Sequence, residues 1–349
     1  MSWYLESGED SDIVLSTRIR LKRNFNDIAF LPKASNEDKE EVLARMKKAI
    51  SKIKESFQVI KLSDLDSITI KELIEKKLIT PEFADFYLIK DLNKKIAQRN
   101  FPSKANSAKY VIISDDEDVS ILLNHEEHFC IQVFSSGNDV QSIYNKISKI
   151  DNEIGSMYDI AYDEQHGFLT SNIVDVGTAM KISAYVHVPA IVQSGRINKI
   201  LDLVEKFGMN IKKVSGLLGD TVYQVSTRQT LGITEDDLIK SFQAVISNII
   251  NQERGMRKYY AENSIDFKDK IFRSLGIFMY AKKINEQEGE DLISNIKLGV
   301  DLGIINDKND SQIRQYMLYN KSANLQKALK NVFSDKELQI ERAKFLQQI

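Results

Sequence analysis

Apolar residues along this chain recur at two spacings, and the switches between them predict the elements. In DIVLSTRIRL the spacing is that of a strand over 11–21, and Arg18, Arg20 and Lys22 alternate with Ile19 and Leu21, so three cations share one strand face. Over 36–57 the spacing becomes helical: Val42, Leu43, Met46, Ile50 and Ile53 form one stripe behind an acidic first turn. Residues 70–98 read as helix, with Pro81 opening a new helix at its first turn, and QRNFPSKANS (98–107) reads as a loop. The runs KYVIIS, VSILLN and HFCIQVF, separated by DDED and NHEE, predict an antiparallel meander. Helix is predicted again over 138–160 and 190–207, the latter stopped by Gly208, with a strand ending at Pro189 between them. A hairpin is predicted around Leu217–Asp220, then a long helix over 234–258 capped by Thr234. From about 262 the pattern is purely helical. The expected fold is α+β: an antiparallel sheet flanked by helices over 1–258, followed by an all-α domain over 259–349.

Composition narrows the function classes. The chain has 349 residues, a net charge of −2, 42% hydrophobic and 28% charged residues, as in ordinary soluble proteins. A near-neutral chain has no global field for nucleic acid or an acidic membrane, so any basic site must be local. The single cysteine, Cys130, precludes an internal disulfide and offers no metal cluster. The first dozen residues lack the apolar core of a signal peptide, and no apolar run is long enough to span a bilayer, so a cytoplasmic protein is expected.

The common nucleotide cradles, GxxxxGK[ST] and GxGxxG, are absent, as is the G-x-S-x-G elbow. A phosphate site can instead be built from arginines projecting from a sheet, because the planar guanidinium fork meets two phosphate oxygens at once. Arg18 and Arg20 are candidates for such a clamp, and Glu126 and Glu127 for a carboxylate beside it. By spacing alone, a solvated strand face is the simpler account of the arginines, and solvated turn residues the simpler account of His125 and His128.

The order of segments favours the clamp. DIVLSTRIRLKRN, NHEEHFCIQ, GFLTSNIVDVGTAMK, YVHVPA, SGLLGD and QTLG, in that sequence, resemble the guanidino-phosphotransferase (phosphagen kinase) family, and more closely the bacterial protein-arginine kinases. The likeness runs nearly end to end and includes QERGMRK and LGVDLGII of the helical tail. The resemblance implies transfer of the ATP γ-phosphoryl group to a guanidinium, with Mg2+, arginines clamping the phosphates and a glutamate holding the acceptor. In S-[ST]-R-[IV]-R, Ser16 to Arg20 match, so Arg18 and Arg20 resemble phosphate ligands. In N-E-E-D-H-x-R, Asn124, Glu126 and His128 match; Glu126 falls at the acceptor-holding glutamate and His128 joins the nucleotide-site set, while Cys130 replaces an arginine. In T-[AS]-C-P-T-N-[VL]-G-T-G-[LM]-R, Asn172 stands for the reactive cysteine and Lys181 for a phosphate arginine. In R-G-x-x-G-E, Ser215 replaces an arginine and Asp220 shortens the glutamate.

Two arginines of five remain, one is lysine and two are uncharged. Each lost charge-assisted bond costs about 1.5–3 kcal/mol, so two losses weaken phosphate binding by roughly two to four orders of magnitude. Lys212, Lys213 and Arg228 lie near one lost position in sequence and are candidates for compensation. The resemblance therefore implies a protein-arginine kinase of impaired activity acting on protein substrates, or a pseudokinase that regulates a protein partner. His187, in YVHVP, matches a histidine of the protein-arginine kinases. In those kinases the tail resembles a dimerising, phosphoarginine-sensing unit ending in R-D-x-x-R-A; here Arg342 and Ala343 match while Leu338 and Gln339 replace the Arg-Asp pair, so a homodimer is expected and the sensing role is left open.

Overall fold

The computed structural model describes residues 2–84 and 108–349. Among these residues eight strands form one sheet: β1 (Val14–Arg23), β2 (Phe57–Lys61), β3 (Tyr110–Ser114), β4 (Val119–Leu123), β5 (Phe129–Ser136), β8 (Met180–His187), β9 (Met209–Lys213) and β10 (Val222–Thr227). Their spatial order is β2-β3-β4-β5-β1-β8-β10-β9, with antiparallel neighbours throughout. A separate two-stranded ribbon joins β6 (Tyr162–Asp163) and β7 (Gly167–Phe168).

Alternation decides which face each strand buries. Ile19 and Leu21 of β1 lie in the main core, while Arg18, Arg20 and Lys22 turn the other way and stay half-buried. The core face is covered by α1 (Asn36–Ile50), α3 (Val140–Met157) and α6 (Glu235–Asn263), through Val42 and Met46, through Ile143, Ile147, Ile150 and Ile154, and through Phe242, Val245 and Ile249. On the opposite face Trp3, Leu73, Leu78 and Phe83 pack on Val111, Ile113, Leu122 and Phe134 of β3–β5. Leu73 belongs to α2 (Ser67–Glu75). That cover stops short of the polar stretch on β1, β8 and β10, which becomes the floor of a cleft.

The helical tail comprises α7 (Ile265–Tyr280), α8 (Glu286–Asp301), α9 (Asp310–Tyr319), α10 (Ser322–Leu329) and α11 (Asp335–Gln348). Its core includes Leu15, Leu218 and Val222 of the sheet region, so the tail shares buried surface with the cleft's lower end. A buried polar network reinforces that seam. Arg257 donates to Glu253 (2.8 Å), Asp301 (3.0 Å) and the His187 carbonyl (3.0 Å), and Glu253 accepts from the amides of Ala190 and Ile191. Burial, then the nearby Arg257 charge, holds the His187 imidazole well below its ordinary range.

The element boundaries depart from the sequence reading in places with identifiable causes. The helix predicted over 36–57 ends at Ile50, and Phe57–Lys61 becomes an edge strand because β3 offers it a partner. The helix predicted over 190–207 is two, Pro189–Gln193 (α4) and Ile197–Lys206 (α5), broken at Gly195 where φ is +68°. The helix predicted from residue 70 closes at Glu75, and Lys77 adopts φ 66°. Thr80 Oγ1 accepts from Phe83 N (3.1 Å), so a turn opens at Pro81; the rest of that predicted helix and the loop predicted over 98–107 lie outside the described residues. The long helix continues to Asn263, and Ser264 both ends it and caps α7, its side chain accepting from Phe267 N.

Candidate active site

Strand register assembles the cleft floor. Arg18 lies opposite Phe134 and Ser183, Arg20 opposite Gln132 and Lys181, and Lys22 opposite Cys130. One register step further along β8, Tyr185 faces Ser16 on one side and Gln224 on the other, and Gln224 faces Lys212 of β9. Arg18 Nη1 donates to Gln132 Oε1 at 3.4 Å. Among the described residues, Arg18, Arg20, Lys181 and Lys212 have no carboxylate partner within ion-pair distance.

Their mutual repulsion is visible in their acidities. Burial, then the charge of Arg20, brings the Arg18 guanidinium down to about 10. Burial and then Arg20 depress Lys181, with Arg18 and Lys212 adding to them, and together they prevail over the opposing pull of Asp175. Burial alone would raise the Tyr185 phenol, but Lys77, Arg18, Lys212 and Arg20 outweigh it and hold the phenol below its ordinary value. Cations held together without counter-charge are relieved by an anion, and a row of them along a cleft is the electrostatic form of a polyanion site.

Lys77 was not legible as a member of this set. It leaves the turn after α2, and its ammonium lies 5.8 Å from the centre of the Tyr185 ring. No motif marks it; only the docking of that turn brings it over the sheet. Of the three compensating cations weighed from sequence, Lys212 faces the cleft, Lys213 turns to Asp220 at 2.8 Å, and Arg228 is exposed beyond the end of β10. Ser215 is exposed and lines, with Ser16, Lys77, Tyr185 and Gly216, a cavity of about 420 Å³ where the cleft meets the tail.

At the other end of the cleft, the β4–β5 turn meets the loop before β8. Glu127 is buried and accepts from Ser171 N at 2.8 Å and from Asn24 Nδ2 at 2.6 Å, which ties the loop to the turn. Its neighbour Glu126 is more than half exposed and pairs with Lys22, whose ammonium also lies 2.8 Å from Asp175 Oδ2. Burial would raise the Glu126 carboxyl, but the Lys22 hydrogen bond and charge prevail and hold it below its ordinary range. Asn172 is exposed on the same loop; its Oδ1 accepts from Val174 N at 3.3 Å and caps the short 3-10 turn that carries Asp175. Gly177 closes the loop at φ 120°, where an added Cβ would fall 2.1 Å from the Thr230 carbonyl oxygen.

His128 sits elsewhere. It is fully buried, Nδ1 accepts from Phe25 N (3.0 Å), and Nε2 therefore carries the proton and donates to Ala29 O (2.9 Å). Both ring nitrogens are spent on main chain, so its geometry is that of a brace for the turn. Asp220 is largely exposed and engaged by Lys213, which alternation sends to the side opposite Lys212. The structure thus brings Arg18, Arg20 and Lys181 together, with Glu126 at one end, Ser215 at the other and Asn172 on the bordering loop. Among the described residues no group of three or more His, Cys, Asp or Glu side chains is arranged to hold a metal ion. No helix among them is long and apolar enough to cross a membrane.

The chain is similar to known proteins along nearly its whole length. The family described as ATP:guanido phosphotransferase, C-terminal catalytic domain, matches residues 40–256, and the one described as Protein-arginine kinase McsB C-terminal domain matches residues 264–349. A protein-arginine kinase of Halothermothrix orenii is 34% identical, covering 99% of this chain and 95% of the relative. One of Clostridium acetobutylicum is 31% identical over 99% of this chain and 98% of the relative. Among solved structures, lombricine kinase superposes with a TM-score of 0.59 at 17% identity, over 75% of this chain and 71% of that one. The duplicated taurocyamine kinase of Schistosoma mansoni, with bound transition-state analogue components, gives 0.61 at 16% identity, over 81% of this chain and 40% of that one. The chain therefore belongs to the ATP:guanido phosphotransferase family, and within it to the protein-arginine kinases.

Proposed function

We propose that this chain transfers the γ-phosphoryl group of ATP to arginine side chains of proteins, at a rate lowered by the loss of two phosphate arginines. The observation that carries the reading is the row of cations without a carboxylate partner among the described residues, Arg18, Arg20, Lys181 and Lys212, running along one sheet face toward the exposed carboxylate of Glu126. The triphosphate lies along the row, with Lys77 and the Ser215 loop beside it. Mg2+ carried by the nucleotide would supply charge neutralisation beside the row, and no side chain of the row would need to hold it. Glu126 holds the acceptor guanidinium and takes one proton as the N–P bond forms and the bond from the γ-phosphorus to the ADP oxygen breaks. A free guanidinium, with a pKa above about 12, would resist that deprotonation. Asn172 borders the acceptor with an amide that accepts hydrogen bonds, and Asp220 shapes the β9–β10 loop.

Purified protein with Mg·ATP and an arginine-rich unfolded protein should yield acid-labile phosphoarginine, and Glu126→Gln should abolish it. Absence of product from protein shown to be folded would sink the enzymatic reading. A second reading, a pseudokinase regulating a protein partner, is favoured by the pairing of Glu126 and Asp220 with lysines, and that outcome would select it. We place the boundary between a catalytic domain and a dimerising tail at the end of α6, in a chain confined to the cytoplasm. Ile265, Phe272 and Tyr280 are exposed on one face of α7 and suit a homodimer contact.

A further inference from the structure

The carboxylate assigned to the acceptor is already engaged by the chain itself. Lys22 bridges Glu126 and Asp175, and its side chain is 17% exposed against 55% for Glu126, so the ammonium sits within the cleft under a carboxylate whose outer side is open. A cation between these two carboxylates makes the charge-assisted contacts that an incoming guanidinium would make. Lys22 is also the third member of the face that carries Arg18 and Arg20, about 7 Å beyond Arg20 at two residues' rise. It therefore has two competing neighbourhoods, carboxylates ahead and cations behind. In the nucleotide-free chain the cations repel it and the carboxylates hold it.

We propose that Lys22 is a tethered stand-in for the acceptor guanidinium, and that phosphates bound at Arg20 draw it off Glu126 and open the seat. The inference rests on the reading of Glu126 as the acceptor's carboxylate. Phosphates on the arginines reverse the sign of the field behind Lys22, and its flexible four-carbon stem lets the ammonium turn toward them. Glu126 and Asp175 are then left without a counter-cation and take the substrate guanidinium in its place. Nucleotide and acceptor consequently raise each other's affinity by the same factor. An acceptor arginine is held only when a phosphoryl donor is present, which keeps the free chain from retaining arginine-rich proteins.

The test is a calorimetric titration of the full chain with N-acetyl-arginine amide, with and without a non-hydrolysable ATP analogue and Mg2+. Without nucleotide, Lys22→Ala should bind the amide roughly fivefold more tightly than wild type, the size of a partly exposed ion pair. Lys22→Arg, which keeps the tethered cation, should stay at the wild-type value. The analogue should tighten amide binding to wild type by a similar factor and leave Lys22→Ala nearly unchanged. Equal or weaker binding by folded Lys22→Ala, including no binding by either protein, overturns the stand-in. Tighter binding by Lys22→Ala with no effect of the analogue on wild type overturns the nucleotide gating. Binding of the analogue itself, read in the same titrations, and phosphoarginine formation report separately on the proposed kinase function, so its failure is distinguishable from that of the Lys22 exchange.

Discussion

Side chains of the same type, a residue or two apart, do different things in this molecule because alternation and register separate them. Lys212 and Lys213 are the plainest case: one faces the cleft across from Gln224, the other pairs with Asp220. Arg20→Ala should weaken binding of a fluorescent ATP analogue by roughly ten- to a hundredfold, the cost of one charge-assisted contact. Lys212→Ala should weaken it by less, since an ammonium lacks the bidentate fork, and Lys213→Ala should leave it unchanged. Equal effects of the two lysine changes would contradict the register argument. Glu126 and Glu127 divide in the same way, the first exposed toward the cleft and the second buried as a clamp for Ser171 and Asn24. Both were visible in sequence as carboxylate candidates. Which of them faces the cleft depends on which one is drawn to the Ser171 amide and the Asn24 side chain.

Elements hold the site through their ends. The loop between β7 and β8 carries Asn172 and Asp175, and it is fixed at one side by Glu127 and at the other by Gly177 against Thr230. Gly177→Ala combines a left-handed φ with a Cβ 2.1 Å from a carbonyl oxygen, so the loop must shift. Its stability by urea unfolding should fall by at least about 2 kcal/mol. The turn after α2 behaves similarly: Lys77 at φ 66° reaches Tyr185 only because the turn docks on the sheet face. Helix periodicity predicted continuous helix through this turn because nothing local stops it there. The same local blindness merged α4 with α5 and hid β2, whose strand character comes from pairing with β3.

At the scale of the whole molecule, sheet and tail are one packed body joined through His187, Glu253, Arg257 and Asp301. Burial keeps His187 neutral in the fold, whereas the unfolded chain takes up a proton near pH 6.5. Its contribution to stability is therefore complete above that pH and is lost as pH falls below it, by up to about 1.4 kcal/mol per pH unit. His128, also depressed by burial, adds with the same sign. Urea unfolding between pH 7.5 and 5.5 should show this slope, and His187→Gln should be measurably shallower; an unchanged slope would place the proton elsewhere. The exposed stripe on α7 makes a second prediction at this scale. Sedimentation should show a dimer for the wild type, and Phe272→Glu should shift it toward monomer, because a charge on a buried apolar contact is costly.

By itself the sequence determined the fold class, the meander, the helical tail, the long helix from Thr234 and the family, because alternation, helical spacing and ordered motifs are local properties of the chain. It also placed Arg18 and Arg20 on one face of a strand, since a period of two needs no partner. Tertiary structure alone decided which groups meet: Lys181 beside Arg20, Lys212 but not Lys213 in the cleft, Lys77 over Tyr185, and His128 turned into main chain. It alone set Lys22 on Glu126 and Asp175. Those contacts join residues as much as about 160 positions apart in the chain, through strand pairing and loop docking, and no spacing along the chain encodes them.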